Sequence, residues 1–120
     1  MNEEEKSDRY ALVITTGGAC YMLHCDTGDG FELKTLQDIV EGYIETTRTV
    51  FKPLEHGTVR PVLVVNEEGK LQGLRRNMAA TRCCLGDVIA GNAILMGIRG
   101  AFFVGLLRED AEKIKEYFEF

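Results

Sequence analysis

The run Val62-Leu63-Val64-Val65 constrains the fold of this chain more than any other feature. Its apolar residues are consecutive and do not alternate with polar ones, which is typical of a strand covered on both faces. The chain has 120 residues and is 45% hydrophobic, so one domain with a buried core is expected without disulfide or metal support. The run therefore predicts an interior strand in a single domain.

The rest of the pattern predicts an α+β domain: a single domain with a mainly antiparallel mixed sheet, two main helices and one short helix. Further strands are predicted at 10–15, 19–25, 43–50, 70–74, about 88–98 and 101–106, and helices from 35, at 77–82 and at about 108–117. Residues 1–9 are predicted to form a flexible acidic tail and residues 10–120 the domain.

Glycine and capping residues set the predicted boundaries. Gly17-Gly18 predicts a two-residue hairpin loop, and residues 66–69 predict a type I turn that leads into strand 70–74. Thr35 is a suitable helix N-cap, and Gly42 could end that helix in the left-handed conformation.

The charge balance excludes some partners. A formal net charge of −5 argues against broad, non-specific binding to nucleic acids or anionic membranes. No apolar run approaches the roughly 20 residues that cross a bilayer, and the acidic start is unlike a signal peptide. We therefore expect a cytoplasmic protein without a membrane partner, whose four cysteines are free thiols.

The sequence Asp26-Thr27-Gly28 matches the catalytic tripeptide of aspartic proteases. One copy per chain could form a carboxylate dyad only in a symmetric homodimer. Asp29 follows where a small residue is usual, and a stretch with two aspartates and two glycines is typical of a turn. A turn is favoured, with a dimeric protease as an alternative.

Metal and thiol chemistry have weak support. The cysteines lack the C-x-x-C spacing of structural zinc sites, and His24 and His56 have no sequence relationship to a thiol. No catalytic residue, metal or cofactor is therefore predicted.

A local basic cluster interrupts the acidic chain. Arg75 and Arg76 precede Asn77, which is a suitable cap for the short helix. Guanidinium groups beside backbone N–H groups would suit a phosphate or carboxylate, although a solvated basic surface is the simpler interpretation.

The stretch VVNEEGKLQGLRRNMAATRCCLGDVIAGNAILMG resembles the core of domain-of-unknown-function family 3846, and LKTLQDIVEGYIETTR and FFVGLLREDAEK resemble its flanking segments. The resemblance implies a small bacterial or phage protein, often carried on mobile elements, and supplies no catalytic residues. Any shared site would be sought at Asn66, Asn77, Thr81 and Asn92, although turns and caps explain each of them. Asn66 would open a turn, Thr81 would bond to the preceding helical turn, and Asn92 would lie in a strand break.

The function expected from the sequence is that of a non-enzymatic accessory protein that binds a protein or nucleic-acid partner. The alternative is a small-molecule or anion-binding module around Arg75, Arg76 and Asn77. A homodimer is compatible with the sequence.

Overall fold

A computed structural model describes residues 8–119. Residues 1–7 of the predicted acidic tail lie outside the described part, and the first strand already begins at Arg9. The strands are β1 Arg9–Ile14, β2 Cys20–His24, β3 Ile44–Arg48, β4 Arg60–Asn66, β5 Ala93–Arg99, β6 Phe102–Val104 and β7 Leu106–Leu107. The helices are α1 Leu33–Val40, α2 Met78–Cys83 and α3 Arg108–Lys115, and a 3-10 turn at Glu116–Phe118 follows α3.

The strands form one antiparallel sheet in the order β2-β1-β5-β4-β3, with β6 paired to β5 and β7 paired to β1. The run Val62–Val65 lies in β4, between β5 and β3, and all four residues are buried. The prediction of an interior strand in an α+β domain is therefore confirmed.

Helices cover both faces of this sheet. On one face α1 buries Leu36 and Val40 against Val64 of β4. On the other face α3 buries Ala111 and Ile114 in a cluster that also contains residues of α2. Because successive side chains of a strand point to opposite faces, the unbroken apolar run supplies both layers at once.

The prediction of a strand at 70–74 is wrong. Both edges of β4 are already paired, with β3 and β5, so a hairpin partner from the following segment has no position beside it. The segment instead forms successive turns, in which Gln72 N–H donates to Glu68 O and Gly73 N–H donates to Lys70 O. Its apolar residue Leu71 is 86% exposed.

The glycine segments at Gly42 and at Gly17-Gly18 differ from their predicted roles. The left-handed residue at the end of α1 is Glu41 (φ 66°), whereas Gly42 is needed because a Cβ there would lie 2.6 Å from Nδ2 of Asn66. The β1–β2 hairpin loop is one residue longer than Gly17-Gly18, since Thr15 N–H pairs with Ala19 O across it.

The remaining boundaries follow the prediction with small shifts. The strand predicted at 88–98 begins only at Ala93, and the last predicted strand is divided into β6 and β7. Within residues 8–119, no helix has both the length and the apolar character to span a membrane.

Candidate functional site

Asn77 is the most deeply buried polar residue among the predicted site positions, with no exposed surface. Its Nδ2 donates to Ile14 O (2.8 Å) and Gly91 O (3.0 Å), while its Oδ1 accepts from Ala80 N–H (3.0 Å). The side chain therefore caps α2, as predicted, and joins that helix to β1 and to the segment before β5. Both amide hydrogens and the amide oxygen are therefore engaged inside the protein.

Thr81 continues the same network. Its hydroxyl donates to Asn77 O (2.7 Å), as predicted, and accepts from Ile89 N–H (2.9 Å). Asn77 N–H in turn donates to Ile89 O (2.8 Å). The two side chains hold residues 89–91 against the first turn of α2.

Asn92 lies beside this network and Asn66 is separate from it. Asn92 accepts from Thr16 N–H (3.2 Å) and donates to Ile39 O (3.4 Å), so it joins the first hairpin to α1. Asn66 donates from Nδ2 to Val40 O and Glu41 O, both at 3.1 Å. These are carbonyls that the end of a helix leaves without a partner.

The structure thus brings Asn77, Thr81 and Asn92 together around the segment before β5, and it places Asn66 at the end of α1. All four side chains are bonded to backbone groups. Among the described residues, no buried side-chain nitrogen or oxygen lacks a partner. The convergence therefore stabilises the fold.

Arg75 and Arg76 are exposed, next to the capped start of α2. Their backbone is fixed, because Gly91 N–H donates to Arg75 O (2.7 Å) and Arg76 forms a bridge with Ala90. Of the N–H groups at the start of α2, that of Ala80 is already bound by Asn77.

A groove that sequence reasoning missed lies between the turns after β4 and the segment before β5. We call it the acidic groove, and its volume is about 350 Å³. Its lining residues are Glu45, Val65, Asn66, Glu67, Glu68, Gly69, Lys70, Leu71, Asp87, Val88, Ile89 and Ala90. It contains four carboxylates and one ammonium group, so its surface is negative.

Apolar side chains in this groove face solvent. Leu71 is 86% exposed and Val88 is 40% exposed. The two walls are in close contact at Gly69, where an added Cβ would lie only 2.5 Å from Ala90 O. An ion pair of 2.7 Å between Lys70 and Asp87 also joins them. Leu71 is the sequence feature that could have indicated this groove, but the incorrect prediction of a strand at 70–74 placed it in a sheet.

Asp26 anchors the start of α1. Its Oδ1 accepts from Glu32 N–H (3.1 Å), and its Oδ2 accepts from the hydroxyl of Thr35 (2.6 Å). The prediction that Thr35 is the N-cap is wrong, because α1 begins at Leu33 and Glu32 is the N-cap without a side-chain bond. Asp26 supplies the capping carboxylate from the preceding turn, and it is exposed.

The thiols have little nucleophilic character at neutral pH. Burial raises the pKa of Cys20 to about 11 and the pKa values of Cys25 and Cys83 to about 12. Since the thiolate is the reactive form, these cysteines act as small core residues. No group of three or more His, Cys, Asp or Glu side chains suited to a metal ion occurs within residues 8–119.

Comparison with known families decides the classification of the chain. The family model described as "Domain of unknown function (DUF3846)" matches residues 9–119. The chain belongs to this family. The match covers the whole sheet and all three helices, and it confirms the family resemblance seen in the sequence. Neither a curated protein nor a solved structure shows a significant match.

Proposed function

We propose that this member of the DUF3846 family is a non-enzymatic accessory protein of a phage or mobile element that binds a protein partner in the cytoplasm. The observation that carries the proposal is the acidic groove, where exposed Leu71 and Val88 lie among four carboxylates. Exposed apolar side chains within a polar rim are a common feature of protein-binding surfaces.

The charge of the acidic groove selects the class of partner. Glu45, Glu67, Glu68 and Asp87 would repel the phosphates of a nucleic acid, and the net charge of −5 acts in the same direction. A protein segment with Lys or Arg beside apolar side chains would satisfy both the rim and the exposed leucine and valine. A basic, partly apolar protein segment is therefore the proposed ligand.

A peptide-display selection against the immobilised chain tests this proposal. We expect enrichment of sequences that combine Lys or Arg with large apolar residues, and loss of their binding in the double variant Leu71→Ser/Val88→Ser. The matched control is Leu33→Ser, which removes a leucine that is 56% exposed on α1. Peptides that bind the double variant as tightly as the wild type, or an absence of enrichment, would contradict the proposal.

A second candidate function, binding of a small anion, rests on Arg75 and Arg76. Both are exposed. A thermal-shift series with nucleotides and sugar phosphates tests this function. Stabilisation that disappears in Arg75→Gln/Arg76→Gln would support anion binding, and unchanged melting temperatures would remove it.

A further inference from the structure

Among residues 8–119, no strand pairs with the outer edge of β2. Cys25 N–H donates to Arg9 O and Thr15 N–H donates to Ala19 O, so the odd-numbered residues of this strand exchange hydrogen bonds with β1. Because the pairs of an antiparallel ladder alternate, the backbone groups of Cys20, Met22 and His24 point away from β1. β2 is the end of the sheet, so these groups face no further strand.

This edge lacks the usual protection against pairing. Its sequence, CYMLH, contains no Lys, Arg, Asp, Glu or Pro, the residues that commonly keep an edge strand single. Tyr21 on this strand is 47% exposed. The opposite edge, β3, differs, because its C-terminal end is covered: Leu85 N–H donates to Arg48 O, and Val50 N–H, just beyond the strand, donates to Cys83 O. β2 is therefore the sheet edge that can best pair with another strand.

A stripe of alternating charge accompanies this edge. Arg108, Glu112 and Lys115 are spaced four and three residues apart on α3, so they lie on one side of the helix. Lys115 Nζ pairs with Glu119 at 3.1 Å and extends the stripe. Its order is positive, negative, positive, negative. We call these four residues the α3 stripe.

The α3 stripe runs antiparallel to β2. Arg108 donates to the hydroxyl of Tyr10, and Tyr10 is paired with His24 at one end of β2. At the other end, Cys20 packs against the cluster that contains Ile114 and Phe118, the residues just before Lys115 and Glu119. The charges of Lys115 and Glu119 also act on its thiol. The middle of the stripe, between Glu112 and Lys115, is thus level with Met22.

From this geometry we infer that the chain forms a two-fold symmetric homodimer in which β2 pairs antiparallel with β2 of a second copy. With the axis at Met22, each Cys20 faces His24 of the other copy and each Tyr21 faces Leu23. No like charges meet in this strand pair. The same axis relates the two α3 stripes.

Charge complementarity identifies a second copy as the occupant. About the axis level with Met22, Arg108 faces Glu119 of the second copy, and Glu112 faces Lys115 of the second copy. When two copies of the stripe run antiparallel, each positive residue lies opposite a negative residue of the other copy. The stripe is therefore complementary to itself and needs no other protein as its partner. Within one chain Arg108 also pairs with Asp8 at 3.2 Å and Lys115 with Glu119 at 3.1 Å, so the contacts across the axis add to these pairs. One symmetry operation pairs the backbone of β2 and sets the opposite charges of the two α3 stripes against each other.

The dimer leaves the acidic grooves free, because the groove lies beside β3 and β4 at the other end of the sheet. Two grooves at opposite ends of one continuous sheet would bind two segments of a partner at once. The dimer is independent of the proposed function, since its residues and those of the groove do not overlap.

Sedimentation equilibrium of the full chain tests the dimer. We expect the apparent mass to rise towards twice 13.4 kDa as the protein concentration increases. Lys115→Glu should place two negative groups together across the axis and weaken dimerisation about tenfold or more. Glu112→Lys should have the same effect, and Glu112→Lys/Lys115→Glu should restore the dimer because the pairs are exchanged.

The control is Lys113→Glu, which makes the same charge change on α3 beside Phe51 and Tyr117, away from β2. Met22→Pro removes an outward N–H without removing a bond to β1, so it should abolish dimerisation while circular dichroism remains native. A monomer at every concentration would overturn the inference. A dimer with unchanged affinity in Lys115→Glu and in the folded Met22→Pro variant would do the same.

Discussion

The carboxylate of Asp26 accepts a hydrogen bond from the hydroxyl of Thr35 at 2.6 Å, across the first turn of α1. The second oxygen of Asp26 accepts from Glu32 N–H, so a single aspartate outside the helix satisfies groups at its start. The negative charge also lies at the positive end of the helix dipole. The Asp-Thr-Gly sequence is thus the anchor of a helix in this structure.

Replacement of Asp26 by alanine should lower the free energy of unfolding by about 1 kcal/mol, the usual contribution of a helix cap. Thr35→Ala should cost less, because Glu32 N–H keeps its partner in that variant. Chemical denaturation of both single variants and the double variant measures the coupling, and the two effects should not add. Additive losses would show that the two side chains act separately.

Asn77→Ala should be far more destabilising than the same change at Asn92. It would leave Ile14 O, Gly91 O and Ala80 N–H without partners in a fully buried site, and we expect a loss of about 3 kcal/mol. Asn92 is half-buried, and its replacement by alanine should cost roughly 1 kcal/mol. Urea denaturation measures both.

The variant Asn77→Asp separates the two roles of Asn77. A carboxylate can still accept from Ala80 N–H, but it cannot donate to the two carbonyls, so the free energy of unfolding should fall nearly as far as with alanine. Wild-type stability in Asn77→Asp would mean that capping of α2 is the only important role of this side chain.

The ion pair of Arg9 and Glu55 should make part of the stability dependent on pH. The Arg9 guanidinium donates to both carboxylate oxygens of Glu55, at 2.8 and 3.0 Å, and Arg99 donates to one of them at 3.1 Å. The hydrogen bonds from Arg9 hold the pKa of Glu55 below its ordinary value. Because the pKa of this carboxyl group is lower in the folded protein than in the unfolded chain, its ionised form stabilises the fold at pH values above the unfolded-state pKa. This contribution is lost as the pH falls through the folded-state pKa.

Glu55→Gln should therefore lower the free energy of unfolding by about 1–2 kcal/mol at pH 7, since the carboxylate is largely buried between two guanidinium groups. The difference from the wild type should be complete above the ordinary carboxyl pKa of 4.5 and should shrink below it. Glu67→Gln, at an exposed site, is the control. A difference that stayed constant down to acidic pH would contradict this account of Glu55.

The cysteines should react slowly with thiol reagents. With pKa values of about 11 to 12, the thiols of Cys20, Cys25 and Cys83 are almost entirely protonated at pH 8. Ellman's reagent should modify the native chain much more slowly than the urea-unfolded chain, and Cys20, the most exposed of the four, should react first. Rapid modification of Cys83 in the native chain would contradict its burial.

The sequence predicted local features well and non-local ones poorly. The cap of Asn77 and the bond from Thr81 to the preceding turn depend on residues within one helical turn, and both are confirmed. The failure at residues 70–74 has a distant cause, because β3 and β5 already occupy both edges of β4. Alternation alone cannot show that a strand has no free edge.

The candidate site illustrates the same limit. Asn66 was predicted to open a turn, and its Oδ1 does accept from Glu68 N–H at 2.7 Å. Its bonds to the end of α1, 25 and 26 residues away, could not be inferred from spacing. The acidic groove was missed for the same reason, since its two walls are separated in the chain and meet only through tertiary packing at Gly69 and Ala90.

Amide chemical-shift mapping with a selected basic peptide tests the central claim most directly. If the acidic groove is the binding site, the largest shifts should occur at residues 66–71 and 87–90, and binding should weaken with added salt. Glu67→Gln/Glu68→Gln should reduce the affinity while the spectrum of the free protein remains native. Shifts that cluster elsewhere, such as around Arg99 and Phe102, or the absence of saturable shifts, would contradict the assignment of this groove as a protein-binding site.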